Sequence, residues 1–151
     1  MSELQLRPAT PADLPDIAGV HLAARCAAVP AMPPGTHSDD EVRAWVSGWD
    51  LAAWDVWVAE GDGVVLGYAV LAEDWLHSLY VAPAAAGQGI GGALLDLVKG
   101  IRPCGFCLWV FESNAPARAF YEHRGLVELE RTDGSSFKNQ GDCIQYINTG
   151  K

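Results

Sequence analysis

The stretch Leu79-Tyr-Val-Ala-Pro-Ala-Ala-Ala-Gly87-Gln-Gly89-Ile-Gly91-Gly92-Ala-Leu-Leu95 decides how this chain is read. The apolar run Leu76 to Val81 predicts a strand. The spacing of Leu94, Leu95 and Val98 predicts a helix over Ile90 to Ile101. Between strand and helix stand four glycines in six residues, Gly87, Gly89, Gly91 and Gly92. That is more chain freedom than a plain turn requires. Glycines let the backbone approach a ligand closely, and the first turn of a helix offers unpaired N–H groups at the positive end of its dipole. The segment therefore predicts a phosphate-binding turn.

Two familiar phosphate sites fit it poorly. A nucleotide P-loop needs Lys and then Ser or Thr after its last glycine, and here Ala93 and Leu94 follow. The dinucleotide fingerprint is matched literally by Gly87-x-Gly89-x-x-Gly92, and Glu112 ends the next strand where a ribose-binding acid would stand. However, five residues, Ala82 to Ala86, separate Val81 from the first glycine, and the motif starts past mid-chain. An oxidoreductase built on that fingerprint has too little chain left for its sheet.

Outward from the glycine turn, the remaining elements follow from pattern. Leu4 to Pro8 alternates as a strand, Thr10 caps a helix with Pro11 at its first position, and Leu14, Ile17, Ala18 and Leu22 form that helix's apolar face. Ala28 to Gly35, with three prolines, is a loop. Ser38 and Glu41 make a capping box for a second helix, whose apolar face is Val42, Trp45 and Val46 or Trp49. Trp54 to Glu60 and Val64 to Glu73 are strands joined by the Gly61-Asp62-Gly63 turn. Phe106 to Glu112 is apolar without alternation, a strand expected to be buried on both faces. Asn114 caps a helix to His123 that Gly125 stops, and Val127 to Arg131 and Ile144 to Ile147 are the last strands. The expected fold is α/β: a mixed sheet of about seven strands flanked by four helices, as a single domain over residues 1–151.

Composition narrows the function. At 151 residues the chain suits one core. Its net charge is −9, and its ten Lys and Arg are scattered. No basic stripe neutralises a run of phosphates, so nucleic acid is not an expected partner. An acidic surface suits a cationic one. No membrane span or apolar signal core is present, which makes the cytoplasm the expected compartment. Cys104-Gly-Phe-Cys107 has metal-ligand or redox spacing, but it lacks a second close pair and feeds a strand, so no metal is expected.

Leu79 to Leu95 resembles the pyrophosphate-binding segment of the GNAT acyltransferase superfamily, Arg/Gln-x-x-Gly-x-Gly/Ala after an apolar strand. The run Leu108-Trp-Val-Phe-Glu-Ser-Asn114-Ala-Pro-Ala-Arg-Ala-Phe120-Tyr121-Glu-His-Arg-Gly125-Leu is similar to that family's second signature, and Leu-Arg-Pro-Ala-Thr-Pro-Ala-Asp-Leu to its opening. The resemblance covers nearly the whole chain. It implies a GNAT-like N-acetyltransferase with acetyl-CoA as co-substrate, acting directly on a primary amine of a small molecule or peptide. A homodimer is common among relatives. The donor-binding set it implies is Leu79, Tyr80, Val81, Gly87, Gln88, Gly89, Ile90, Gly91, Gly92 and Asn114. Two departures stand out: the leading Arg or Gln falls on Ala86, and the strand carboxylate of several members falls on Trp75. They motivate the rival reading, a catalytically weak acyl-CoA-binding regulatory module.

Direct transfer sets three tasks. The amine must lose its proton, since an alkyl ammonium has a pKa of about 10. The developing oxyanion needs a donor, expected to be the N–H of Leu79 or Val81. The departing thiolate needs a proton or hydrogen bond, which the resemblance assigns to Tyr121 rather than Phe120. By period two, Glu73, Trp75, His77 and Leu79 share one strand face, making Glu73 and His77 the candidate bases. Relatives recognise the acceptor with the first two helices, their loop and the C-terminal hairpin. Here those regions offer His37, Asp39, Asp40, Trp45 and Trp49, with Trp75 beside them on the strand. Trp75 and His37 are taken as substrate-binding, and Trp45 and Trp49, at helical spacing, as core. The hairpin turn carries Lys138, Asn139 and Asp142 without an assigned role.

Overall fold

The computed structural model describes residues 4–28, 38–111, 114–132 and 143–148. His37, Glu112, the proline-rich loop and the polar turn with Lys138, Asn139 and Asp142 lie outside them. In chain order the elements are β1 (Gln5–Pro8), α1 (Leu14–Ala28), α2 (Asp39–Ser47), β2 (Asp55–Gly61), β3 (Val64–Ala72), β4 (Trp75–Val81), α3 (Ile90–Ile101), β5 (Phe106–Phe111), α4 (Ala115–His123), β6 (Val127–Thr132) and β7 (Cys143–Asn148). The strands form one seven-stranded sheet in the order β1-β2-β3-β4-β5-β7-β6. Every pairing is antiparallel except β4 with β5.

Local chemistry explains the boundaries. Asp62 and Gly63 both have positive φ (54° and 77°), the backbone that a two-residue hairpin turn requires. The Ser38 and Glu41 box is formed, with the Glu41 N–H donating to Ser38 Oγ at 3.2 Å and the Ser38 N–H to Glu41 Oε1 at 3.0 Å. At the other end of the fold, Pro11–Asp13 is a 3₁₀ turn that precedes α1. The buried Asp13 carboxylate there accepts from the Thr10 N–H at 2.8 Å and from Arg7 at 2.7 and 2.9 Å. Arg7 also donates to Glu60 at 2.8 Å, so one guanidinium ties β1 to the start of α1 and to β2.

The sheet is covered on both faces. One core packs Leu71, Leu94, Leu95, Phe106, Leu108 and Leu126 under α3 and α4. The other packs Ile17, Val46, Trp49, Val58, Tyr68 and Val70 under α1 and α2. Trp49 is core as expected, but Trp45 on α2 is 51% exposed and is not. Strand β5 departs from expectation too. Phe106, Leu108 and Val110 are buried, while Cys107 and Trp109 on the opposite face are only half-buried.

Strand β4 is where the sequence pattern misleads. Strand β3 stops at Ala72, so Glu73 belongs to the hairpin turn and not to a strand; it is exposed and carries a positive φ of 55°. Pairing then runs Ala72 with Trp75 and Leu71 with Leu76, but Val70 with Ser78. His77 is therefore the extra residue of a β-bulge. The bulge resets the alternation. Leu76, Leu79 and Val81 pack toward α3 and α4, whereas Tyr80 packs toward α1 and α2, the side on which His77 stacks on Trp54. The single face expected for Glu73, Trp75, His77 and Leu79 does not exist.

Candidate active site

The site begins with a gap in the sheet. Among the described residues β4 and β5 share one register pair, Trp75 with Cys107, secured by the Cys107 N–H donating to the Asp74 carbonyl at 2.8 Å. Beyond it both strands continue unpaired with each other. The Ala82 N–H donates to the Leu66 carbonyl of β3, at 2.7 Å. Because hydrogen-bonded and non-bonded pairs alternate in an antiparallel ladder, Tyr80 also faces β3. Leu79 and Val81 then turn their N–H and C=O groups toward the gap. Backbone groups inside a sheet are nearly always paired, so an opened seam calls for a ligand chain that supplies the partners.

The same strand runs out into the glycine turn. A 3₁₀ turn, Pro83–Ala85, leads to Gly87 and Gly89 with φ of 83° and 79°, a conformation that side chains disfavour. Gly89 is the N-cap of α3, and Gly87, Gln88 and Gly89 are exposed. Nothing lies within 4 Å of a Cβ placed on Gly87 or Gly89, so backbone conformation rather than crowding selects glycine there. Ile90, by contrast, is buried and anchors the helix to the core. The sheet gap thus ends at a helix N-terminus free to bind an anion.

Helix α4 packs on the α3 side of the sheet, where Ala117, Phe120 and Tyr121 join the core that Leu79 and Val81 flank. Its N-cap is Asn114, whose Oδ1 accepts from the Ala117 N–H at 3.4 Å, and this leaves its amide N–H₂ for other partners. Tyr121 is 8% exposed, packed on Phe120 (ring centroids 5.1 Å apart) and on Tyr146 (6.4 Å). Burial, and secondarily the neighbouring Tyr80, raise its pKa well above the ordinary tyrosine value. Among the described residues its hydroxyl has no hydrogen-bond partner, whereas the Tyr146 hydroxyl donates to Glu122.

On the opposite face the sheet carries rings. Trp75 stacks on Trp109 (6.2 Å, 9°) and His77 on Trp54 (6.0 Å, 11°), so the two bulge-side positions share an aromatic wall. Behind it His21 on α1 meets the Tyr68 hydroxyl through Nδ1 at 2.8 Å, with burial lowering its pKa to about 4. His21 is thus a neutral, packed imidazole at physiological pH. Sequence reasoning missed Trp54, Trp109 and His21. Trp109 alternates with buried neighbours in β5, a signal hidden by reading that strand as uniformly apolar.

The geometry defines a class: a sheet split that exposes β4 backbone, continuous with a glycine-opened helix N-terminus, fits the extended pantetheine and pyrophosphate of a coenzyme A thioester. Comparison with known proteins agrees. Residues 52–128 match the acetyltransferase (GNAT) domain family model, and the chain belongs to that family. A Mycobacterium tuberculosis protein named as an N-acetyltransferase, Rv2775, is 28% identical over 90% of this chain and 84% of its own length. The peptidyl-lysine N-acetyltransferase YiaC of Escherichia coli is 40% identical over 50% of this chain and 52% of its own. The structure of yncA from Salmonella typhimurium, solved with its cofactor acetyl-CoA, superimposes with a TM-score of 0.74 at 24% identity, over 99% of this chain and 95% of that one, a likeness of fold. The protein is a GNAT acyltransferase of the N-acetyltransferase type.

Proposed function

We propose that the chain transfers an acetyl group from acetyl-CoA directly to the primary amine of a small molecule or peptide, in a ternary complex without a covalent intermediate. The observation that carries this reading is the β4–β5 seam, with one register pair among the described residues, on a strand that leads to the α3 N-terminus; Tyr121, buried on α4, is near enough to Tyr80 of β4 for that residue to raise its pKa. Backbone N–H groups of Gly87 to Gly92, with Gln88, hold the pyrophosphate, and the Leu79 and Val81 edge holds the pantetheine arm. One of those two N–H groups polarises the reacting carbonyl. Asn114 offers its free amide N–H₂ to the arm.

Tyr121 serves the leaving sulfur. Its raised pKa keeps the phenol protonated at neutral pH, and a thiol has a pKa of only about 8.5, so complete proton transfer from the phenol is uphill. The hydroxyl therefore acts as a hydrogen-bond donor that stabilises the thiolate as its charge develops. Glu73 is the less suited base in this reading: it lies in the turn at the far end of β4, six residues before Leu79, a span of up to about 20 Å at the rise of a strand. His77, exposed on the bulge and held by Trp54, is the remaining candidate and takes the amine's proton through water. The aromatic wall of Trp75, Trp109 and Trp54 lines the acceptor side, where an ammonium group gains cation–π attraction. The net charge of −9 favours the same cationic acceptors. The lysine chemistry in the name of the E. coli relative points the same way. We place the protein in the cytoplasm as one domain.

A thermal-shift titration with acetyl-CoA, CoA and NAD tests the donor, since a ligand at a hundred times its dissociation constant stabilises the native state by about 2.7 kcal/mol. A shift with both CoA species and none with NAD is expected, followed by thiol release when amines are supplied. No shift with either CoA species at millimolar concentration defeats the reading.

A further inference from the structure

We propose that Arg124, at the C-terminal end of α4, supplies the cation for the coenzyme A pyrophosphate that Ala86 does not. This rests on the acetyl-CoA site described above. The Arg124 guanidinium lies against the first turn of α3: a Cβ built on Gly92 would meet its Nη2 at 2.6 Å, Cζ at 2.8 Å and Nη1 at 2.9 Å. Side chains on a helix tilt toward its N-terminus, so the volume a residue-92 side chain would enter leans toward the Gly87–Gly89 mouth. The guanidinium fills that volume from the neighbouring helix.

Its course is fixed at both ends. The Arg124 carbonyl accepts from Lys99 Nζ, and Lys99 is seven residues, about 10 Å of helix, beyond Gly92. The side chain therefore runs back along α3 to the glycine turn. There the guanidinium sits 4.8 Å from the centroid of the Phe120 ring, which itself packs against Gly91. Lys99 keeps its charge but is held at that carbonyl, so Arg124 is the cation placed against the glycine turn.

Electrostatics give the arrangement its meaning. The N-terminus of a helix is the positive end of its dipole and repels a cation. Among the described residues no carboxylate pairs with this guanidinium, and Phe120 alone faces it. A fixed, unpaired cation at a positive helix end is unfavourable until an anion arrives between them. The pyrophosphate is that anion, and a guanidinium binds phosphate oxygens in bidentate fashion. Ala86 and Gly92, two positions near the turn without a polar side chain, leave the charge to come from α4.

Calorimetric titration of the full chain with CoA, 3′-dephospho-CoA and acetyl-pantetheine tests this. Arg124→Gln should weaken CoA and dephospho-CoA equally, by about tenfold or more, the worth of a hydrogen bond to a charged group, and leave acetyl-pantetheine unchanged. Arg124→Met, which keeps the stem over Phe120 and drops only the charge, is read in parallel so that a folding defect in one variant does not decide the matter. Gly92→Lys combined with Arg124→Ala should recover binding, which a packing role for Arg124 does not explain. Wild-type affinity in Gln and Met variants overturns the proposal, as does a loss that disappears with dephospho-CoA, which would put the charge on the 3′-phosphate. If the wild type itself fails to bind CoA, the donor reading falls and the Arg124 proposal with it.

Discussion

Replacing Tyr121 by Phe removes one oxygen and separates a structural tyrosine from a catalytic one. The ring is buried against Phe120 and Tyr146, and Phe keeps those contacts. The hydroxyl has no hydrogen-bond partner among the described residues, so the change breaks no internal bond, where a typical one contributes about 1 kcal/mol net. Stability should then move by less than about 0.5 kcal/mol, or under about 2 °C in melting temperature for a domain of this size. Activity should fall much further. A positioned acid or donor is worth about 10² to 10⁴ in rate, and an interaction made only as the sulfur gains charge lowers kcat and kcat/KM together. The expectation is a loss of at least about a hundredfold in both, with the acetyl-CoA KM unchanged, read by thiol release against the best amine found. The pH profile gives a second check. Burial raises the phenol pKa above its ordinary value of 10, so in wild type no falling limb from this group should appear below about pH 10. A Phe variant within threefold of the wild-type rate refutes the assignment. A melting temperature lowered by several degrees would show instead that the hydroxyl supports the fold.

Asp13 gives a stability prediction with a defined pH window. Hydrogen bonds from Arg7 and Thr10 lower its pKa from 3.8 to about 2, and this lowering against the unfolded chain amounts to about 2 kcal/mol. The depressed carboxylate stabilises fully above its unfolded pKa and loses that contribution as pH falls through the folded one. Asp13→Asn should therefore lower the urea-unfolding free energy by about 2 kcal/mol at pH 7, with the gap to wild type closing between pH 4 and about 2; a gap that stays constant to pH 2 contradicts it. Gly89→Ala, at φ 79°, should cost about 1–2 kcal/mol through the backbone alone and weaken CoA binding. Gly19→Ala, inside α1 with nothing within 4 Å of its Cβ, should instead stabilise by about 0.5–1 kcal/mol; chemical denaturation of the pair with opposite signs is the outcome to look for. Ala86→Arg should tighten CoA binding by up to about tenfold, and unchanged affinity in calorimetry would show that position 86 does not reach the phosphates.

What was legible in the chain is what depends on neighbours in sequence. The Asp62-Gly63 turn, the Ser38 and Glu41 box, the Asn114 cap and the positive-φ glycines each follow from residues a few positions apart, and each is present. The proposed donor half of the site shares that locality, because a strand, a glycine turn and a helix N-terminus are consecutive. Its chemistry is carried by backbone, yet the glycines mark where that backbone must be bare. Asn114 and Tyr121 likewise sit on one helix, where a sequence signature fixes their phase, while the role proposed for Tyr121 rests on the family resemblance.

The face on which the candidate bases stand was not legible, and the cause is one inserted residue. Period two places Glu73, Trp75, His77 and Leu79 on one face only if β4 is regular. The pairing of Leu71 with Leu76 and of Val70 with Ser78 shows that it is not. A bulge leaves no mark of its own in the sequence, since the residue types along Trp75–Val81 fit either face. Its effect is nonetheless functional. Without it, His77 would lie on the α3 and α4 side with Leu79, buried in that core. With it, the imidazole turns to the aromatic wall while Leu79 and Val81 keep their amides toward the gap. In the proposed mechanism the bulge thus lets one strand offer a backbone edge to the donor and His77 to the acceptor's proton. The Arg124 contact was out of reach for a complementary reason, since its partner Gly92 is 32 positions earlier and only the packing of α4 on α3 brings the two together.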